Sequence, residues 1–102
     1  MADALRYLGL ARKAGRLVYG MDTVEQNLRK CTAILLANDA GEAVSRNARF
    51  LAGKAGLAVV TLPYDKEQIG HAVGKALCAV CALTDKGLTE ALLKAIPSGI
   101  DE

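Results

Sequence analysis

Apolar residues at positions 44, 48, 51 and 55, at 69, 72, 73 and 76, and at 88, 91, 92 and 95 recur three or four apart. That repeat lines up side chains along one face of an α-helix, so three amphipathic helices are predicted there. A further helix is expected from about Ala4 to Ala14, stopping at Gly15, and another starting near Asp22. Asp22 and Glu25 have the spacing of a capping box, and Asp65 and Gln68 repeat it after Pro63. Between the helical stretches lie short, continuous aliphatic runs, Ala33 to Ala37, Leu57 to Leu62 and Ala79 to Leu83, with Leu17 to Tyr19 as a shorter fourth. Runs that are continuous rather than alternating predict strands covered on both faces.

Helices alternating with doubly covered strands imply an α/β fold, a three-layer α/β/α sandwich around a small mixed four-stranded central sheet. At 102 residues the chain has the length of one domain, expected over 1–102 with its core at about 4–95. There is no internal repeat, and Pro97-Ser98-Gly99 marks the end of the last helix. A hydrophobic fraction of 52% with 24% charged residues excludes disorder. Aromatics make up only 4%, with Phe50 the single Phe and no Trp, which argues against binding single strands by stacking bases on exposed rings. Uncharged stretches such as Ala76 to Thr84 fall well short of the ~20 residues that span a bilayer. The first residues lack the basic-then-apolar pattern of a signal peptide, so a cytoplasmic protein without membrane association is expected. Cys31, Cys78 and Cys81 are odd in number and are expected as free thiols.

Several motifs that would carry catalysis fail on inspection. Gly15 to Gly20 has the glycine spacing of a phosphate-binding loop, but Met21-Asp22 stand where Lys and Ser or Thr must meet phosphate and magnesium. No dinucleotide fingerprint follows any strand, and Gly70 and Gly74 read as close-packing or turn positions. Cys78-Ala79-Val80-Cys81 enters an aliphatic strand, where residues three apart point to opposite faces, and no second Cys or Cys/His pair completes a zinc site. His71 reads as a helix-surface residue, and Ser45 and Ser98 lack a nucleophile-elbow context. No catalytic residue, metal or cofactor is expected, and the chain is not expected to be an enzyme.

Charge changes the picture. Residues 1–54 carry nine Lys or Arg against five acids, whereas the remainder carries four against six. Within the basic half, the segment from Gly9 to Thr23 places Arg12, Lys13 and Arg16 just ahead of Gly20 and a helix start. Cations can neutralise phosphates, a glycine lets a backbone approach closely, and a helix start offers free N–H groups. The same residues also read as a solvated helix face with Gly15 as C-cap and Asp22 as N-cap.

Gly9-Leu-Ala-Arg-Lys-Ala-Gly-Arg-Leu-Val-Tyr-Gly20, Leu35-Leu-Ala-Asn-Asp39, Ile69-Gly-His-Ala-Val-Gly-Lys75 and Leu83-Thr-Asp-Lys-Gly87 together resemble the bacterial YlxQ-type members of the ribosomal protein L-seven-Ae/L-thirty-e family. The resemblance runs in order from about residue 4 to 95. It implies an α/β/α sandwich that binds kink-turn or related RNA, without cofactor or catalysis, in translation or in ribosome or ribonucleoprotein assembly. It also implies that the helix after Gly20 opens with an Asn-Glu pair that reads sheared G·A bases and a Lys that meets phosphate. Here those places hold Asp22, Thr23 and Gln26, so the phosphate charge is lost at Gln26 and a negative charge is added at Asp22. Asn38 and Asp39, and the loop after Gly74 with Lys75, resemble further contact regions of the family, although Asn and Asp also favour turns with no ligand at all. The expected partner is structured RNA, a kink-turn or ribosomal RNA, with ribosome or ribonucleoprotein components as further expected partners. Gly20, Met21, Asp22 and Thr23 are expected closest to the bases, with Lys13, Arg16 and Lys75 supplying charge. The alternative is a protein-interaction module of the same fold that has lost kink-turn affinity.

Overall fold

The computed structural model describes residues 4–96. Its elements in chain order are α1 (Ala4–Lys13), β1 (Leu17–Tyr19), α2 (Met21–Gln26), a single 3-10 turn (Leu28–Lys30), β2 (Ala33–Leu36), α3 (Glu42–Ala55), β3 (Val59–Thr61), α4 (Lys66–Val73), β4 (Val80–Leu83) and α5 (Lys86–Ala95). The strands form one mixed sheet in the order β1-β4-β2-β3. β4 runs antiparallel to both β1 and β2, whereas β2 and β3 are parallel, joined by the long crossover α3 that parallel neighbours require. α1 packs on α4 and α5 on one face, and α3 on α2 on the other, giving the expected three layers. The expected end of the last helix at Pro97-Ser98-Gly99 lies outside the described residues.

Burial follows the aliphatic runs. Every residue of the two inner strands, Ala33–Leu36 and Val80–Leu83, is buried, while each outer strand is partly open. Leu8, Val24, Leu51, Ile69 and Leu92 bring the helices down onto the sheet. One polar contact sits within this core: the Thr32 and Thr89 hydroxyls lie 2.7 Å apart, and Thr32 Oγ1 also donates to the Leu83 carbonyl at 2.9 Å. Among the described residues, no helix is long and apolar enough to cross a membrane.

The helix ends sort the capping signals. Asp65 and Gln68 form a true capping box on α4, the Gln68 amide donating to Asp65 Oδ1 at 2.8 Å and the Asp65 amide to Gln68 Oε1 at 3.0 Å. The same spacing at Asp22 and Glu25 does not cap α2. That helix starts one residue earlier, with Gly20 at its N-cap and no side-chain cap, and Asp22 lies in its first turn. The reason is the backbone of Gly20, at φ 89° and ψ 143°, a conformation open essentially to glycine alone, which turns the chain into the helix before Asp22 is reached. α4 stops at Val73, before the expected apolar position 76, because Gly74 takes a left-handed conformation and closes the helix with its amide. Ala76 is consequently exposed in the following loop.

Candidate nucleic-acid interface

Strand directions decide which loops meet. Because Tyr19 pairs with Cys81 and Leu36 with Val80, the ends of β1 and β2 and the start of β4 lie at one edge of the sheet. That edge carries Gly20 and the first turn of α2, the turn at Asn38-Asp39, and residues 74–79. Backbone bonds tie these together: the Gly20 amide donates to the Val80 carbonyl at 3.0 Å, and the Ala37 amide to Ala79 at 2.9 Å. Gly70 makes the loop possible, since a β-carbon on it would stand 2.8 Å from the Ala76 carbonyl oxygen.

Between the start of α2, the start of α3 and this loop opens a cleft of about 300 Å³, lined by Tyr19, Gly20, Met21, Val44, Lys75, Leu77, Cys78, Ala79 and Val80. Its floor is largely apolar and Leu77 stands exposed on the rim. At its mouth two cations share one ring: the Arg12 guanidinium and the Lys75 ammonium each lie 4.8 Å from the centroid of Tyr19. Arg12 is held there by donating to the Val73 carbonyl at the end of α4. A hydrogen bond from Lys75, helped by the charges of Arg12 and Lys75, holds the Tyr19 phenol below the ordinary tyrosine range against the opposing effect of burial. The arrangement presents two fixed positive charges and a π-face beside an apolar slot, which suits a phosphate flanking an unstacked base.

The expected site residues divide by position. Gly20, Met21, Asp22, Thr23, Asn38, Asp39 and Lys75 lie at this edge, and Asp22, Thr23, Asn38 and Lys75 are exposed. Asp39 has a structural task as well, its Oδ1 accepting the Lys66 amide at 2.9 Å and so fastening the first turn of α4. Arg16 does not join the edge. It precedes β1, and its carbonyl accepts the Thr84 amide at the opposite end of the sheet, with Lys13 close by in sequence at the end of α1. Gln26 ends α2 and lines a separate cleft of about 410 Å³ with Glu25, Asn27, Leu28, Arg29 and Lys30. The basic surplus of residues 1–54 is therefore not one patch: Arg46 faces Glu42 at 3.9 Å and Lys54 lies over Phe50 at 5.4 Å on α3. Sequence reading passed over Tyr19 and, in the final site, Arg12. The only available signal was their presence in the same short segment, ahead of Gly20.

The sequence profile of the ribosomal protein L7Ae/L30e/S12e/Gadd45 family matches residues 2–93, nearly the whole chain. The chain belongs to that family. L7Ae-family membership supports RNA binding and ribonucleoprotein roles in general. Among solved structures, a protein of unknown function from Bacillus halodurans C is 26% identical, covering 93% of this chain and 97% of its own, with a TM-score of 0.84. No curated protein matches the sequence.

The cysteines depart from expectation in one respect. All three are buried free thiols, but Cys78 does not lie in the strand. The chain bends at Ala79, and the Cys78 thiol donates to the Val80 carbonyl at 3.4 Å. The neighbouring Cys81 thiol lowers the Cys78 thiol against the effect of burial, Cys78 and burial together raise Cys81 well above the ordinary range, and burial alone raises Cys31.

Proposed function

We propose that this protein is a non-catalytic, cytoplasmic RNA-binding protein of the bacterial YlxQ type, a single domain over 1–102. It holds a folded RNA, kink-turn-like or ribosomal, during translation or ribonucleoprotein assembly. The observation that carries this reading is the pair of cations flanking Tyr19 at the mouth of the cleft. Arg12 and Lys75 take backbone phosphate, Gly20, Met21, Asp22 and Thr23 meet base edges, and Asn38 borders the same edge. A carboxylate at Asp22 accepts from guanine amino and imino groups, so it selects for exposed guanine while lowering overall affinity. Arg16, from the far end of β1, Lys13 at the end of α1, and Gln26 serve RNA only where it extends past the edge.

Titration of the full chain against a kink-turn RNA, a straight duplex of matched length and ribosomal RNA, across a range of salt, tests the reading. Preference for folded RNA that persists at moderate salt is expected; equal binding to all three that salt abolishes would sink it.

One observation favours a second reading, a protein-interaction module. Phe50 on α3 is 66% exposed and borders a cleft of about 280 Å³ with Met21, Asp22, Glu25, Asn47 and Leu51. An apolar ring beside two acids suits a basic, apolar peptide better than a polyanion. Phe50→Ala leaves RNA binding intact under the first reading, and protein capture without any RNA affinity would favour the second.

A further inference from the structure

Folding sends part of the basic half of the chain away from the cleft, and it gathers again at the opposite end of the sheet. Leu17 and Ala33 both pair with Leu83, so β1 and β2 begin where β4 ends. The connections there are bonded to one another. The Thr84 amide donates to the Arg16 carbonyl at 2.9 Å and the Thr32 amide to the Leu83 carbonyl at 2.7 Å. The Thr32 and Thr89 hydroxyls, 2.7 Å apart, hold the start of α5 against the start of β2. Arg16 directly precedes β1, Arg29 and Lys30 stand in the 3-10 turn before β2, and Lys86 is the first residue of α5, so these cations share one end. All are exposed, as is Lys13 at the end of α1. Among the described residues none of them is in an ion pair or against a ring. The nearby acids are fewer. Asp85 caps α5 by accepting the Leu88 amide at 3.2 Å, Glu25 shares a cleft with Arg29 and Lys30, and Glu90 follows Lys86 by one turn of α5.

We propose that this end is a second surface for RNA backbone, and that the protein joins two RNA segments, a folded one at the cleft and a duplex at the opposite end. A cation held by no partner of its own can exchange counterions for phosphates, and several on one surface add their effects along a phosphate ladder. With no ring contact beside them, these cations position backbone without reading bases, so the second surface takes duplex of any sequence. α3 runs from the cleft end of the sheet to this one, and its 14 residues make it about 21 Å long. The two surfaces stand that far apart and face away from each other, so an RNA seated at one leaves the other open. Joining two RNAs rests on the RNA reading of the cleft, whereas the second surface stands on its own residues.

The test immobilises a short kink-turn RNA, adds the full chain, and measures retention of a fluorescent straight RNA duplex across a range of salt. The parent chain is expected to retain the duplex, and the immobilised RNA alone is not. Arg29→Gln, Lys30→Gln and Lys86→Gln combined should lower retention about tenfold or more and reduce the salt slope of duplex binding by about 2 to 3, one phosphate for each cation. Binding of the short kink-turn RNA should stay within about twofold of the parent, which also shows that the variant is folded. Arg29→Lys, which keeps the charge, should retain the duplex as the parent does. Retention that survives the combined variant, as two chains pairing through their own faces would allow, overturns the second surface, and so does a kink-turn complex that no duplex joins. Absence of any preference for kink-turn RNA, with duplex binding still dependent on Arg29, Lys30 and Lys86, sinks instead the reading of the cleft, and with it the joining of two RNAs.

Discussion

At the scale of single residues, the site depends on charges held in place by the protein's own carbonyls and rings. Lys75→Ala and Arg12→Ala are each expected to weaken every RNA complex and to reduce the slope of log affinity against log salt by about 0.9 on a duplex, one phosphate's worth. Titration at several salt concentrations checks this, and an unchanged slope would place the phosphates elsewhere. Asp22→Asn is expected to tighten binding about threefold, the effect of removing one repulsion of roughly 0.6 kcal/mol through water. Tyr19 supplies a pH signature: an ultraviolet titration should find it ionising below the ordinary tyrosine range, and Lys75→Ala should move it back up. Because its folded pKa is depressed, the unfolded chain holds more protons in the interval between the lowered and ordinary values. Its contribution to stability therefore rises with pH through that interval and is absent below it. Of these residues, Gly20 and Lys75 were legible in the sequence as glycine and charge. Tyr19 was not, because a ring's value here comes from two cations contributed by separate helices and loops.

At the scale of elements, the turns that aim the site rest on backbone geometry. Gly20→Ala has open space around its new β-carbon, yet φ 89° forces a conformation that L residues rarely adopt, so a loss of about 1–3 kcal/mol is expected in denaturant unfolding. Gly70→Ala acts differently, through a backbone clash with Ala76 that must push the 74–79 loop outward. It is expected to cost about 1–3 kcal/mol and to weaken RNA binding along with it, which calorimetry on the same sample would reveal. Asp65→Ala should cost about 1 kcal/mol by opening the α4 cap, with RNA affinity little changed. The contrast between Asp65 and Asp22 explains what local spacing can and cannot convey. Both have a partner three residues on, but a capping box forms only where the N-cap has extended backbone, as Asp65 does at φ −88° and ψ 177°. At Asp22 the preceding glycine had already begun the helix.

At the scale of the whole molecule, the buried inner strands carry the stability, and the proposed RNA-binding surface occupies one edge. Leu35→Ala, at the centre of the sheet and fully buried, is expected to cost about 2–5 kcal/mol and to lower the thermal midpoint by roughly 4–8 °C for each kcal/mol lost. The basic half of the chain, which in sequence looks like one polyanion-binding face, is dispersed by folding. Arg12 turns to the cleft, Arg16 goes to the far end of β1, and Arg46 and Lys54 lie on α3.

Order and type of nearly every element followed from the sequence alone, because periodicity is a local property and each apolar run or stripe must be covered wherever the chain carries it. The three-layer sandwich followed from their alternation. Tertiary structure alone decided which charges share an edge and which residues line the cleft. Those relations depend on strand direction and register, and on bends such as that at Ala79, which bring together residues far apart in the chain and separate neighbours such as Arg12 and Arg16.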